Sequence, residues 1–231
     1  VIVEGSTSTH LFRLVKMAYH LQYMSLRARG EPVRWVLQAV GADYTEETVD
    51  VLTEWSQRKK DFEWEVNPVL VIGGKDKLHQ TTVICRYLGE KHGLCSSDAW
   101  TKTRQQECIE AMHDISGYIG GALQERIMQN EANMKAKMIT AAERTNLVIG
   151  NIEKRISPEG WVLSPKMTWV DVFLAAYLDL LELYNLFSPD VCTACPKMMN
   201  LLETVRKVPA VAKRIKQRPD WHMFENPTGL N

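Results

Sequence analysis

The sequence predicts a small α/β domain followed by an all-helical one. Two observations carry this. Strand-like and helix-like segments alternate as β-α-β-α-β-β-α between Tyr19 and Gly93, and strand signals stop from Cys95 onward. Beyond that point the residues recur at helical spacing, most clearly from Thr168 to about Leu186.

Each element has a local reason. Tyr19 to Met24 alternates Leu21 and Tyr23 against His20, Gln22 and Met24, the two-residue period of a strand. Gly30-Glu31-Pro32 opens a helix with Pro in its first turn, and Val33, Val36, Leu37 and Val40 follow at helical spacing. Gly41 stands where a C-terminal cap belongs. Tyr44 to Val51 reads as a second strand, and the charged stretch Glu54 to Glu65 as a surface helix and loop. Pro68 to Ile72 reads as a buried strand, which Gly73-Gly74-Lys75-Asp76 turns back into Leu78-His79-Gln80. Thr81 starts a helix with Val83, Ile84, Tyr87 and Leu88 on one face, ending at Gly93. In the second half, Thr168 and Asp171 stand in the positions of a capping box. Val170, Phe173, Leu174, Tyr177, Leu178 and Leu181 then form one apolar stripe, so the acids of this helix are assigned to structure before chemistry. The expected division is 17–93, a linker at 94–99, and 100–231. Residues 1–16 are set aside as a leader or cloning remnant, because the first strand pattern begins just after Met17.

Composition removes several function classes. The chain has 231 residues, 28 Lys+Arg and 28 Asp+Glu, so it offers no net field to nucleic acid or an anionic membrane. The most apolar long stretch, Met167 to Phe187, is interrupted by Asp171, Asp179 and Glu182 and is a poor membrane span. Five scattered Cys give no disulfide framework. Cys192-Thr-Ala-Cys195 has C-x-x-C spacing, but no second pair of ligands lies near it, and it reads as coincidence in a helix-connecting loop. The six His show no metal spacing, so no metal is expected. The basic run Arg206 to Arg218 carries apolar Val208, Val211 and Ile215, which makes it a solvated helix face rather than a nucleic-acid patch.

Three features remain for chemistry, each beside an ordinary alternative. Tyr23 stands at the end of the first strand, ahead of Leu26-Arg27-Ala28-Arg29-Gly30 and a helix, where α/β sheets present functional groups; taken alone, the feature favours a core aromatic. Asn67-Pro68 precedes a buried strand, a position Pro tolerates in either isomer. Gln80-Thr81 stands at a helix start, whose amides can bind a carboxylate or simply be capped by Thr.

Together these features closely resemble the glutathione transferases, best the sigma class. The resemblance runs through Tyr23-x-x-x-Arg27-x-Arg29-Gly-Glu, Trp55 with Lys59 and Pro68, and Leu78-His-Gln-Thr81-x-x-Ile84-x-Arg-Tyr-Leu88. It continues through Trp161-Val-Leu, Met167-Thr-Trp-Val-Asp171 and Val205 to Pro219, and so covers about Met17 to Pro219. It implies a thioredoxin-like domain that carries glutathione as co-substrate, with no metal required. It also implies a helical domain shaping the site for a small hydrophobic electrophile, a homodimer, and a cytoplasmic location. Position by position, Tyr23 matches the tyrosine whose hydroxyl donates to the glutathione sulfur, and Arg29 an arginine near the thiolate. Trp55 and Lys59 match residues at the tripeptide's glycine end. Asn67 precedes the expected cis Pro68 and pairs through its backbone with the cysteinyl unit. Gln80 and Thr81 match residues for the γ-glutamyl carboxylate, and Leu26 lines the electrophile side. The activity implied is conjugation of the thiolate to apolar electrophiles, with peroxide reduction or isomerisation as related reactions.

The sequence also departs from that pattern. Glu65-Val66-Asn67 replaces the usual polar approach to the cis proline, Tyr118 stands where an acid crosses the dimer interface, and Glu125 replaces a tryptophan of the prostaglandin-isomerising members. These departures predict weakened glutathione binding. They leave open a catalytically weak structural protein of the S-crystallin kind. The aromatic tail Trp221-His-Met-Phe224 reads either as a lid on the electrophile pocket or as surface packing.

Overall fold

The structure, a computed structural model, describes residues 19–186 and 188–221. The expected leader, the start at Met17 and the tail beyond Trp221 lie outside them. The first half runs β1 (Tyr19–Met24), α1 (Glu31–Ala39), β2 (Tyr44–Val49), α2 (Trp55–Arg58), β3 (Val69–Ile72), β4 (Asp76–His79) and α3 (Thr81–Lys91). The second half is α4 (Ala99–Ile127), α5 (Glu131–Glu153), α6 (Trp169–Leu183), α7 (Pro189–Ala194), α8 (Pro196–Arg206) and α9 (Pro209–Gln217).

The four strands form one sheet in the order β2-β1-β3-β4. β1 and β2 pair in parallel, because α1 carries the chain across between them; β3 runs antiparallel to β1 and to β4. Gly73 and Gly74 take φ of 60° and 72° in the β3–β4 turn, a region that favours glycine. Gly41 caps α1 as expected: its φ is 66°, its amide donates to the Gln38 carbonyl, and the Ala42 amide reaches the Leu37 carbonyl. This architecture, a thioredoxin-like α/β domain followed by a helical domain, is the one the sequence predicts.

The structure moves some boundaries. β2 stops at Val49 rather than Val51, because the Asp50 carboxylate accepts from the Leu52 and Thr53 amides and starts a turn. Gln80 leaves the expected fourth strand at φ 72° and becomes the residue before α3. Cys192 lies within α7 and Cys195 caps it, so the C-x-x-C pair is on a short helix rather than in a loop; both thiols are free.

α6 differs more. Every residue from Trp169 to Leu181 is buried, not a single stripe, because α6 packs against four helices, α1, α3, α4 and α8. Its capping box forms: the Thr168 amide and hydroxyl donate to Asp171 Oδ2 at 2.7 and 2.9 Å. The Val162 amide donates to Oδ1 at 2.8 Å, tying the preceding loop to the helix start. Burial nevertheless outweighs these bonds and pushes the Asp171 carboxyl up to about 6. A carboxyl with a raised folded pKa binds its proton more tightly in the native state than in the unfolded chain. Its contribution to stability is therefore present at about pH 4 and lost as pH rises through about 6. Urea unfolding of the wild type and of Asp171→Asn is expected to show the wild type gaining about 2 kcal/mol on the variant between pH 7 and pH 4. A constant difference would remove this carboxyl from the acid-range stability.

The basic run is also partly corrected. Lys207, Lys213 and Lys216 are exposed, but Arg206, Arg214 and Arg218 turn inward. Arg206 and Arg218 donate to Asp179 at 2.6 and 2.7 Å, and Arg214 pairs with Glu31 at 3.3 Å. The planar guanidinium can satisfy several acceptors at once, which suits it to these half-enclosed positions.

Candidate active site

β1 delivers Tyr23 to the seam between the two halves, and the chain then turns through Ser25 to Gly30 into α1. Arg34, on the first turns of α1, fastens that turn. Its Nη1 donates to the Leu26 carbonyl at 2.7 Å and its Nη2 to the Met24 carbonyl at 3.4 Å. Glu31 and Glu46 neutralise the same guanidinium at 3.0 and 2.5 Å. The Tyr23 ring lies between this cation, 5.3 Å from the ring centroid, and the backbone of Gly30. A Cβ at Gly30 would fall 2.2 Å from Tyr23 Cδ1, so the ring occupies space that only glycine leaves open.

Tyr23 is 3% exposed, and burial pushes its phenol pKa up. The Arg34 charge, backbone amides of Arg29 and Gly30, and the Arg29 charge pull the other way. The phenol stays protonated at neutral pH, so its hydroxyl can donate to a partner.

A cleft of about 380 Å³ opens beside it, within the size range of small-molecule sites. The first half contributes Tyr23, Leu26, Arg29, Trp55 and Asn67 to its wall. The helical half contributes Ser116, Ile119 and Leu123 from α4 and Leu180 from α6. The exposed Arg29 bridges the two halves, donating from Nε to Ser116 Oγ at 3.2 Å. Trp55 packs its ring on Phe62 at 5.5 Å between centroids.

The Asn67-Pro68 bond, left open by the sequence, is cis. Asn67 Nδ2 is buried with no hydrogen-bond partner among the described residues, an unspent donor in the cleft wall. Glu65 and Val66, the departures from the resemblance, line the same wall.

Lys59, Pro68, Gln80 and Thr81 do not line the cleft. Lys59 pairs with Glu65 at 3.3 Å. Thr81 is buried at the start of α3, and its hydroxyl donates to the Arg29 carbonyl at 3.1 Å, linking that helix start to the cleft turn. Gln80, exposed at positive φ, presents its backbone at the same point. Tyr118 and Asp114 line a different groove on α4 and α5, and Glu125 pairs with Lys137 at 2.5 Å away from the cleft. Among the described residues no group of three or more His, Cys, Asp or Glu is gathered as a metal site needs, and no helix is long and apolar enough to cross a membrane.

The α4 wall went unread in the sequence, although Ser116, Ile119 and Leu123 share one face at helical spacing. Arg34 was also missed. Nothing in Glu31-Pro-Val-Arg34 distinguishes a buried cation from the polar side of a surface helix.

Comparison with known proteins finds one family in both halves. The family model of the glutathione S-transferase N-terminal domain matches residues 19–90, and that of the glutathione S-transferase C-terminal domain matches residues 113–218. Glutathione S-transferase S1 of Drosophila melanogaster is 23% identical over 206 residues, covering 89% of this chain and 80% of that protein. Hematopoietic prostaglandin D synthase of Homo sapiens is 22% identical, covering 87% of this chain and 96% of that protein. Among solved structures, prostaglandin synthase D of Nilaparvata lugens superposes with a TM-score of 0.76 at 24% identity, covering 87% of this chain and 98% of that one. With the two domain models falling on the α/β and helical halves in turn, and the cleft lying where the halves meet, the chain belongs to the glutathione S-transferase family.

Proposed function

We propose that this chain is a sigma-class-like glutathione transferase that holds glutathione as its thiolate and joins it to small apolar electrophiles. The observation that carries the reading is the buried, protonated Tyr23 phenol on the wall of a cleft that also holds Arg29, Trp55 and the unpartnered Asn67 amide. A free cysteine thiol has a pKa near ~8.5, so only a few per cent is ionised at neutral pH. Tyr23 donates its hydroxyl proton in a hydrogen bond to the sulfur, and Arg29 adds positive potential; the charged hydrogen bond alone contributes roughly 1.5–3 kcal/mol. The thiolate then forms a bond to the electrophilic carbon while the leaving group departs with its electron pair. Trp55 and Lys59 hold the glycine end, and Asn67 with Pro68 the cysteinyl unit. Gln80 and Thr81 bind the γ-glutamyl carboxylate at the start of α3. Leu26, Ile119 and Leu123 offer the electrophile an apolar wall.

The functional halves in this reading are 17–93 and 100–231, joined at 94–99, and the protein works in the cytoplasm as a homodimer. A second reading, a weakly catalytic scaffold that keeps the fold, is favoured by the Lys59–Glu65 pair, which occupies a cation assigned to glutathione. Calorimetric titration with glutathione followed by conjugation of a chlorodinitrobenzene separates the two. The enzyme reading expects saturable binding and thiol consumption well above the buffer rate. Binding without turnover supports the scaffold, and absence of binding removes both.

A further inference from the structure

We infer that Trp221 is a positioning residue for the Tyr23 phenol, acting through Arg34; this rests on the role proposed for Tyr23. Trp221 lies close to two hundred residues from β1 in the chain, yet its ring is 4.4 Å from the Arg34 guanidinium carbon. That guanidinium also lies 5.3 Å from the Tyr23 ring centroid. Arg34 is therefore flanked by two aromatic rings, one belonging to the cleft and one to the C-terminal segment. Trp221 does not line the cleft, so it reaches the tyrosine through Arg34 rather than by covering the ligand.

The arrangement closes on itself. Arg214 stands 5.6 Å from the Trp221 ring and pairs at 3.3 Å with Glu31, which also accepts from Arg34 at 3.0 Å. Trp221, Arg34, Glu31 and Arg214 thus fix one another. Two consequences reach the cleft. Arg34 holds the carbonyls of Met24 and Leu26, both cleft residues, so its placement sets the turn beside the phenol. Its charge also acts on whatever negative charge forms at the phenol. A guanidinium sealed from water by an indole acts through a lower effective dielectric than one washed on that face. Tyr177 of α6 and Tyr184 just after it also feel Tyr23, but both are neutral and driven upward by burial, so the cations facing the phenol are Arg34 and Arg29.

Without the indole, Arg34 loses its stacking partner, water screens its charge, and the phenol is no longer held against the sulfur. The test is titration of glutathione bound to the full chain, read by the ultraviolet absorbance of its thiolate, in wild type, Trp221→Ala, Trp221→Phe and Tyr23→Phe. S-methylglutathione, which has no thiol to ionise, reports whether the cleft is intact. Trp221→Ala is expected to cut the thiolate fraction at neutral pH by roughly three- to tenfold, while S-methylglutathione affinity stays within about twofold. Trp221→Phe is expected to restore the thiolate to near the wild-type level. A wild-type titration in Trp221→Ala beside a shifted one in Tyr23→Phe overturns the link to Trp221 alone. Unshifted Tyr23→Phe overturns the reading of Tyr23 and the link with it. Loss of S-methylglutathione affinity in both Trp221 variants makes the residue merely structural and also overturns the proposal.

Discussion

Tyr23→Phe is expected to lower conjugation at neutral pH by about 10- to 100-fold while leaving glutathione affinity within a few-fold of wild type. The phenol is kept neutral by burial, so across the physiological range it is a donor and not a base. In the proposed role its loss removes one hydrogen bond to a charged sulfur, about 1.5–3 kcal/mol, or one to two units of thiol pKa. The signature is in the pH profile: kcat/KM of the variant rises with a limb displaced upward by that amount and converges on wild type in alkali, where the thiol ionises without help. A rate deficit constant with pH would assign Tyr23 to shape rather than to ionisation. Gly30→Ala approaches the same atom from the other side. The new Cβ would stand 2.2 Å from the ring, more than an ångström inside ordinary contact, so the hydroxyl must move although its chemistry is untouched. That variant is expected to share the displaced limb, which a direct thiol titration checks.

Much of the candidate site was legible because its determinants are local. A tyrosine ending a strand ahead of a proline-initiated helix, a proline opening a buried strand and a Gln-Thr pair at a helix start are each encoded within a few residues. Their combined spacing carried the resemblance. The structure brings Tyr23, Leu26, Arg29, Trp55 and Asn67 to one cleft, while Lys59, Pro68, Gln80 and Thr81 lie off its wall. What escaped depends on contacts between distant segments. The all-round burial of α6 follows from α1, α3, α4 and α8 surrounding it, which no periodicity within α6 encodes. The inward turn of Arg206, Arg214 and Arg218 depends on Glu31 and Asp179 meeting them from other helices. Trp221 was legible only as an aromatic near a chain end, since its partner Arg34 is on the first helix.

Those hidden charges set the second large effect. Asp179 on α6 is 3% exposed and accepts from Arg206 at 2.6 Å and Arg218 at 2.7 Å, with Arg27 of the cleft turn at 3.8 Å. Burial, and then the like charge of Arg218, already lowers the pKa of Arg27, and Asp179 is the first of the acids that restore it. Asp179→Ala removes the buried carboxylate these three guanidinium groups share; Arg206 keeps Glu182 and Glu203 and Arg218 keeps Glu31 at 3.8 Å, but Arg27 loses its paired acid. Breaking a buried ion pair from one side costs about 3–5 kcal/mol. For a chain of this size that corresponds to a fall of about 6–20 °C in Tm. Glu182, 53% exposed, also receives Arg206 and provides the contrast. Glu182→Ala is expected to cost under about 1 kcal/mol, because water and salt already screen that carboxylate. Thermal melts of the two variants at low and high salt decide the matter. A large, salt-insensitive loss confined to Asp179→Ala identifies the buried carboxylate as what holds the cleft turn to the helical half. Equal small losses would mean that apolar packing of α1 on α6 joins the halves and that these arginines are replaceable.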